Sequence, residues 1–417
     1  MDNEIYVLDK DENYIFLNIE NLKRVSVPKA ALTHKSMLEK IIEYLNPKTP
    51  ILDTMMPLTT KEIIAPTIVV GFACNYRCEY CYQYDMHNQT QVLQPQSVRN
   101  IKSFYQSFCD KYSIAEKYGE INIIGGEPFL LPNKATLEAI SDVWAKNTLC
   151  FTTNGTHIED FFDYIISSNS RFKVSVDGTK EMHYKRRIPP YDLAYERTLN
   201  GLKLLLDYGK DVQVITVFDP NSWEEYPKFF DLMEELGWLK NKNFKICFIS
   251  QFNCGCDDIV NVEENVEAFV HLLDIDSRTK NVDARKLFPG SSNLIHAMSG
   301  NNIEYVPYRC SCLYSPDYWF LPDGTVHFCF CGNSSQTIVG RYEPKIEIDD
   351  FKINLLKKRR IDNNPKCRRC IYKFLCKGGC AITALSKTGE LSEIDCSLWN
   401  NASFIKYFDK ILNIRRI

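Results

Sequence analysis

From Pro66 to about Ser250 the chain repeats one pattern: a short apolar, β-rich run, a turn, then a longer stretch with helical periodicity. The runs are 67–72, 121–124, 149–153, 172–176, 212–218 and 244–249, with helical stretches such as 193–208 and 227–236 between them. Buried strands alternating with helices argue for parallel βαβ units, because a parallel pair needs a crossover and both of its faces covered. The fold class is therefore α/β, and about six repeats close naturally into a partial (β/α)6 barrel. Several runs lead at their carboxyl ends into loops rich in Gly, Asn, Asp and Cys, which is where barrels carry chemistry.

Outside that span the chain changes character. Residues 1–64 form a small α+β preface, with candidate strands at 4–8 and 14–18 and an amphipathic helix near 35–45. The barrel takes 65–256, a helical or irregular bridge takes 257–305, and a cysteine-dense segment with frequent turns takes 306–417. A region unable to build a large core is often held together by metal. The formal net charge of −3, with acids and bases well mixed, favours neither nucleic acid nor an anionic membrane. The acidic start Met1-Asp2-Asn3-Glu4 lacks the apolar segment of a secretory signal, and no stretch reaches membrane-span length, so the expected location is the cytoplasm.

Seventeen cysteines then need a use, because a reducing cytosol offers little for disulfides. An odd count in tight spacings suits metal ligation. The scattered Cys109, Cys150 and Cys247 read as buried structural thiols, and Cys254-Gly255-Cys256 as a loop. Cys74-x3-Cys78-x2-Cys81, just past the run 67–72, is an incomplete cage. A cubane iron–sulfur cluster takes four thiolates, so three leave one iron open, as a catalytic rather than a structural centre requires.

With Tyr80 directly before the third cysteine, the triplet resembles the signature of the radical S-adenosylmethionine (SAM) superfamily. The resemblance implies that SAM binds the open iron. Reductive cleavage then yields a 5′-deoxyadenosyl radical that abstracts hydrogen. Gly125-Gly126-Glu127-Pro128 matches the superfamily's GGEP motif, its glycines allowing backbone to approach the SAM amino group. The superfamily's contacts with the SAM carboxylate and ribose carry over to Asn154, Ser175 and Asp177, and Tyr80 joins the cofactor-binding set. Arg186 or Arg187 is a further candidate for the SAM carboxylate.

Cys312-x11-Gly324-x4-Cys329, with Cys310 beside it, is followed by Cys367-x2-Cys370-x5-Cys376-x3-Cys380 and by Cys396. The order resembles the SPASM domain. That resemblance implies two auxiliary clusters, one on Cys310, Cys312, Cys329 and Cys380, the other on Cys367, Cys370, Cys376 and Cys396. Cys331 is an alternative to Cys310 or Cys312. The cofactors expected are SAM and three [4Fe-4S] clusters, with a flavodoxin- or ferredoxin-type electron donor as partner.

Enzymes with this C-terminal domain mostly act on peptides and proteins. The leading reading is a maturase of a ribosomally made precursor peptide that installs a crosslink or an oxidative modification, with the preface weakly resembling a leader-recognition module. The alternative is an anaerobic sulfatase-maturating, formylglycine-forming enzyme. In that family an Asp follows the G-x4-C cysteine as catalytic base, whereas here Phe330 stands there and cannot take a proton. A non-catalytic iron–sulfur binding protein is the third reading. Lys357-Lys358-Arg359-Arg360 reads as a solvated helix face, and His183 and His327 are assigned no catalytic role.

Overall fold

The computed structural model describes residues 5–21, 23–32, 35–46, 64–251, 262–287, 317–329, 335–396 and 414–416. Cys254, Cys256, Cys310, Cys312, Phe330 and Cys331 lie outside the described residues.

The chain opens with three antiparallel strands, β1 (Ile5–Lys10), β2 (Asn13–Asn18) and β3 (Arg24–Pro28), followed by helix α1 (Lys35–Leu45). Ile5, Val7, Phe16 and Val27 project from one face of this sheet and pack on Ile41 and Leu45 of α1. That is the period-2 face of a half-buried sheet meeting the apolar stripe of a helix. Tyr6 and Leu17, which alternate with those residues, join the main core instead.

The main sheet begins with β4 (Thr67–Val69) and, after the two-residue strand β5 (Arg77–Cys78) and helix α2 (Pro95–Tyr112), continues through β6 (Ile121–Ile124). Then come α3 (Lys134–Val143), β7 (Leu149–Thr153), α4 (Phe162–Ser167), β8 (Ser170–Ser175), α5 (Lys180–Arg186) and the short β9 (Arg187–Ile188). α6 (Ala194–Asp207), β10 (Asp211–Val217), α7 (Tyr226–Glu235) and β11 (Phe244–Ile249) complete the expected repeats. β4, β6, β7, β8, β10 and β11 are parallel neighbours in that order. Their inward residues build one core, with the rings of Phe129, Phe151 and Phe172 in contact (centroids 5.0 Å and 5.5 Å apart).

The sheet does not stop at six strands. Within the stretch read as a bridge, α8 (Val262–Ile275) leads to β12 (Asp283–Lys286), which lies parallel to β11. At the opposite edge β13 (Trp319–Phe320) pairs parallel to β4, and Thr67 N donates to Tyr318 O at 2.9 Å. From there β14 (Thr325–His327), β15 (Ile338–Arg341) and β16 (Glu347–Ile348) extend it antiparallel. These strands carry only two to four residues each, and in place of a core of their own they share the barrel's. Phe320 packs against Phe104 and Tyr105 of α2, with ring centroids 5.5 Å and 5.2 Å away.

Short helices finish the fold: α9 (Asp350–Lys357), α10 (Pro365–Arg368), α11 (Lys373–Cys376) and α12 (Ala381–Thr388). Asp349 and Asn364 cap α9 and α10 by accepting from the backbone amides of Lys352, and of Lys366 and Cys367. β17 (Ile414–Arg416) returns to the N-terminal sheet as the antiparallel neighbour of β1. Among the described residues no helix is long and apolar enough to cross a membrane.

The run Lys357–Arg360 is solvated in its first half only, Lys357 and Lys358 being exposed. Arg359 is 3% exposed and donates to Gly378 O at 2.9 Å and Gly379 O at 3.2 Å, while Arg360 pairs with Asp362 at 2.5 Å. The physical reason is that α9 ends at Lys357, so Arg359 beyond it can turn inward to satisfy carbonyls of the cysteine-bearing loop. Cys109, Cys150 and Cys247 are buried in the core, as expected for structural thiols. His327 is buried between Thr325 Oγ1 at 2.9 Å and Thr337 Oγ1 at 2.7 Å, which uses both ring nitrogens structurally.

Candidate active site

The loop after β4 carries Cys74, Cys78 and Cys81, and these three pack in one cluster with Tyr76, Tyr80 and Ala194. Two backbone ties hold the loop in place. Cys78 pairs with Arg187 in the two-stranded ladder of β5 and β9, and Glu79 N donates to Arg186 O at 3.0 Å. Arg77 turns back on its own loop, donating to Cys74 O at 2.6 Å and Tyr76 O at 2.9 Å.

The glycine turn at the end of β6 lies directly against this loop. A Cβ on Gly125 would fall 2.3 Å from Gly71 O, and one on Gly126 would fall 2.3 Å from both Phe72 O and Ala73 O. Gly126 N and Glu127 N donate to Gly71 O and Ala73 O, both at 2.9 Å. The two glycines are thus required by backbone-to-backbone packing between the ends of β4 and β6, a reason that spacing alone did not give.

The polar residues at the other strand ends form an internal network. Glu127 is fully buried, and one carboxylate oxygen accepts from Phe129 N at 3.0 Å and Thr153 Oγ1 at 2.6 Å while the other accepts from Asn154 N at 2.7 Å. Burial pushes its pKa up, and those donors pull against the shift. Pro128 follows it, its carbonyl accepting from Asn133 Nδ2 at 3.0 Å. The Asn154 amide donates to Asn75 Oδ1 at 2.7 Å, linking the end of β7 to the cysteine loop, and its oxygen accepts from Thr156 N at 3.0 Å. Ser175, half-buried, ends β8.

Asp177 lies just beyond. One of its oxygens accepts from Val217 N at 3.0 Å and the other from the Tyr80 hydroxyl, which in turn accepts from Arg187 at 2.9 Å. The Arg186 guanidinium stacks on the Tyr80 ring (4.7 Å to its centroid) and donates to Val217 O at 2.8 Å. Both arginines considered for a carboxylate ligand are therefore buried and already engaged inside the fold. His183, fully buried, accepts from Asp177 N at 3.2 Å, so it orients Asp177. Gly155 and Gly178, which follow Asn154 and Asp177, sit at φ 86° and 84°, where a side chain would be strained.

The three thiols occupy an environment that disfavours their bare anions. Burial, helped by Glu127, pushes the Cys74 thiol up to about 12, and burial raises Cys78 and Cys81 as well. A coordinating metal offsets that cost, since a bound thiol is deprotonated outright. Among the described residues no three His, Cys, Asp or Glu converge as a single ion would need. A cubane cluster takes one thiolate per iron, so three such thiols would fit one with an iron left open. The Nε2 of Gln83, a residue only 2% exposed, and the Nδ1 of His87 are buried beside the loop without hydrogen-bond partners among the described residues. His87 reaches Cys81 Sγ with its other nitrogen at 3.4 Å; nothing in the spacing of the sequence singles it out.

Residues 68–233 match the family model described as the radical SAM superfamily. This segment is a radical SAM domain. It runs from β4 to α7 and contains the cysteine triplet, the glycine turn and the ends of β7, β8 and β10. The chain is 25% identical over 343 residues to a cysteine-type anaerobic sulfatase-maturating enzyme of Clostridium novyi, covering 74% of this chain and 84% of the relative. Two solved structures share its fold. anSMEcpe with bound AdoMet and the Kp18Cys peptide superposes with a TM-score of 0.62 at 17% identity, over 84% of this chain and 98% of that one. SuiB of Streptococcus suis bound to its precursor peptide SuiA superposes with a TM-score of 0.59 at 15% identity, over 95% and 99% of the two chains.

Beyond the radical SAM domain, burial pushes Cys367 up to about 12, and Cys376, Cys396 and Cys370 each add to its shift. Cys367 and Cys376 are buried and Cys370 and Cys396 half-buried. Cys380 directly precedes α12 without capping it through its side chain, and Cys329 follows β14 by two residues; both are half-buried.

Proposed function

We propose that this chain is a radical SAM maturase that takes hydrogen from a ribosomally made peptide and installs a crosslink or an oxidative modification. The observation that carries the reading is the packing of buried Cys78 with half-buried Cys74 and Cys81 in one cluster past the carboxyl end of β4, the strand that lies beside β6 in the parallel sheet. Cys74, Cys78 and Cys81 would hold a [4Fe-4S] cluster with one iron left for SAM. When bound, that pair supplies the one-electron cleavage that delivers a 5′-deoxyadenosyl radical.

The protein's own part is positioning. Gly125 and Gly126 hold the ends of β4 and β6 together, and the Glu127 carboxylate ties β6 to β7. Tyr80, Asp177 and Arg187 form a buried chain that pins the cysteine loop to β8 and β10. Because these side chains are already engaged, contacts to SAM from Gly125, Gly126, Glu127, Pro128, Tyr80 and Asp177 would come chiefly through backbone atoms and ring faces. Asn154, whose amide is held by Asn75 and Thr156, would act in the same way, and half-buried Ser175 would contribute its side-chain oxygen.

Cys367, Cys370, Cys376 and Cys396 form the first auxiliary set, supported by the electrostatic effect of the other three on Cys367. Cys329 and Cys380 belong to the second, with Cys310 and Cys312. With four thiolates each and no open iron, these centres would pass electrons. A flavodoxin- or ferredoxin-type protein would supply them.

A peptide substrate is supported by the names of the structural neighbours, both solved with peptides. Formylglycine formation is the second reading, favoured by the name of the Clostridium novyi relative. Against it stands Phe330 after Cys329, which offers no base. The test is to incubate anaerobically reconstituted enzyme, SAM and reductant with two peptides: a sulfatase-derived cysteine peptide and a precursor peptide encoded beside this chain. Loss of two hydrogens from the precursor, with the sulfatase peptide untouched, supports the maturase reading. Conversion of the sulfatase cysteine to formylglycine would replace it.

A further inference from the structure

His87 sits six residues after the third triplet cysteine, just past a single turn of helix at Tyr84–Met86. It is 6% exposed, its Nε2 lies 3.4 Å from Cys81 Sγ, and its Nδ1 is buried with no hydrogen-bond partner among the described residues. The Tyr84 ring flanks it at 5.9 Å between centroids. Either ring nitrogen of an imidazole can carry the hydrogen. When Cys81 is an iron-bound thiolate it has no proton to give, so the shared hydrogen must reside on Nε2.

Hydrogen bonds to the triplet sulfurs are unevenly distributed. Tyr76 N approaches Cys74 Sγ at 3.4 Å, and the backbone amide of Gln83 serves Cys81. Among the described residues, His87 is the one side chain that reaches a triplet sulfur. Hydrogen bonds to cluster sulfurs and their burial set the reduction potential, because they stabilise the more negative, reduced state.

We propose that His87 is a positioning residue that donates Nε2–H to Cys81 Sγ and thereby raises the reduction potential of the cluster held by Cys74, Cys78 and Cys81. The inference rests on the ligand assignment made above. It gives a reason why an imidazole with one unused nitrogen is buried at this point. The hydrogen bond makes the first electron easier to load without touching SAM or the substrate.

The test is an EPR-monitored redox titration of the anaerobically reconstituted full-length protein, following the signal that SAM perturbs. Wild type, His87→Phe and His87→Gln are compared, with iron content measured for each. His87→Phe keeps an aromatic ring and removes the donor; its reduced-to-oxidised ratio at a fixed potential should fall about tenfold, the effect of one ordinary hydrogen bond, which is about 59 mV for a one-electron couple. His87→Gln retains an amide N–H and should recover at least half of that shift. If the Phe variant loses the cluster while the Gln variant keeps both iron and midpoint, the donor is again what matters. An unchanged midpoint in the Phe variant at full iron content overturns the proposal. So does a Gln variant that behaves like Phe, or equal loss of iron from both. A wild-type protein with no SAM-responsive signal would instead defeat the ligand assignment itself.

Discussion

Gly126→Ala isolates the contact that joins the glycine turn to the cysteine loop. The added methyl would lie 2.3 Å from both Phe72 O and Ala73 O, at least 1 Å inside ordinary contact, and the obstacle is backbone that no side-chain rotation can relieve. The two segments must therefore separate, breaking Gly126 N to Gly71 O and Glu127 N to Ala73 O, each 2.9 Å long. Two backbone hydrogen bonds at roughly 1 kcal/mol each and overpacking at about 1–3 kcal/mol give a loss of about 3–5 kcal/mol. That is a large part of the roughly 5–15 kcal/mol that holds a typical domain together. Gly71→Ala is the control, since its methyl meets nothing closer than 3.4 Å and should cost less than about 1 kcal/mol. Urea unfolding of the two variants measures the difference, and iron content reports whether the displaced loop still holds its cluster. A Gly126→Ala protein within about 1 kcal/mol of wild type and with full iron would refute the reasoning.

Replacing Cys74, Cys78 and Cys81 together by Ala should remove about a third of roughly twelve irons, four per cubane, and all formation of 5′-deoxyadenosine; iron assay and chromatography check this. Replacing Cys367, Cys370, Cys376 and Cys396 together should also cost about four irons yet leave a SAM-responsive EPR signal. Tyr80→Phe leaves Asp177 and Arg187 without the hydroxyl that joins them, at a cost of about 1–3 kcal/mol by denaturant unfolding. His183 has a folded-state pKa well below its unfolded value because it is buried beside Arg187. It therefore contributes stability above about pH 6.5 that is lost as pH falls. Unfolding free energy should drop between pH 7 and 5, and His183→Leu, though less stable at neutral pH, should show a shallower drop.

The barrel strands were legible because each carries a short β-rich, largely apolar run between turn and helical segments. Three of the six, Ile121–Ile124, Leu149–Thr153 and Phe244–Ile249, have the bounds read from the sequence. β13 to β16 were not legible, since strands of two to four residues carry no period, and the pairing of Trp319 with Thr67 joins residues far apart in the chain. β17, which closes on β1 from the other end of the chain, is hidden for the same reason. At the site, spacing singled out Glu127 and Asp177 as residue types but did not tell which way their carboxylates turn. Both are consumed by backbone amides and hydroxyls of neighbouring strands. The GG pair was visible as a motif, while its partner backbone at 71–73 appears only once β4 and β6 lie side by side. His87 had no motif to announce it, and its contact with Cys81 depends on the helical turn between them.

The most direct measurement is SAM turnover by the full chain after anaerobic cluster reconstitution, with the EPR spectrum of the reduced protein recorded with and without SAM. A triplet-held cluster with one open iron predicts that SAM alters one component of that spectrum and that 5′-deoxyadenosine accumulates. A fully iron-loaded protein whose spectrum ignores SAM and which forms no 5′-deoxyadenosine would contradict it.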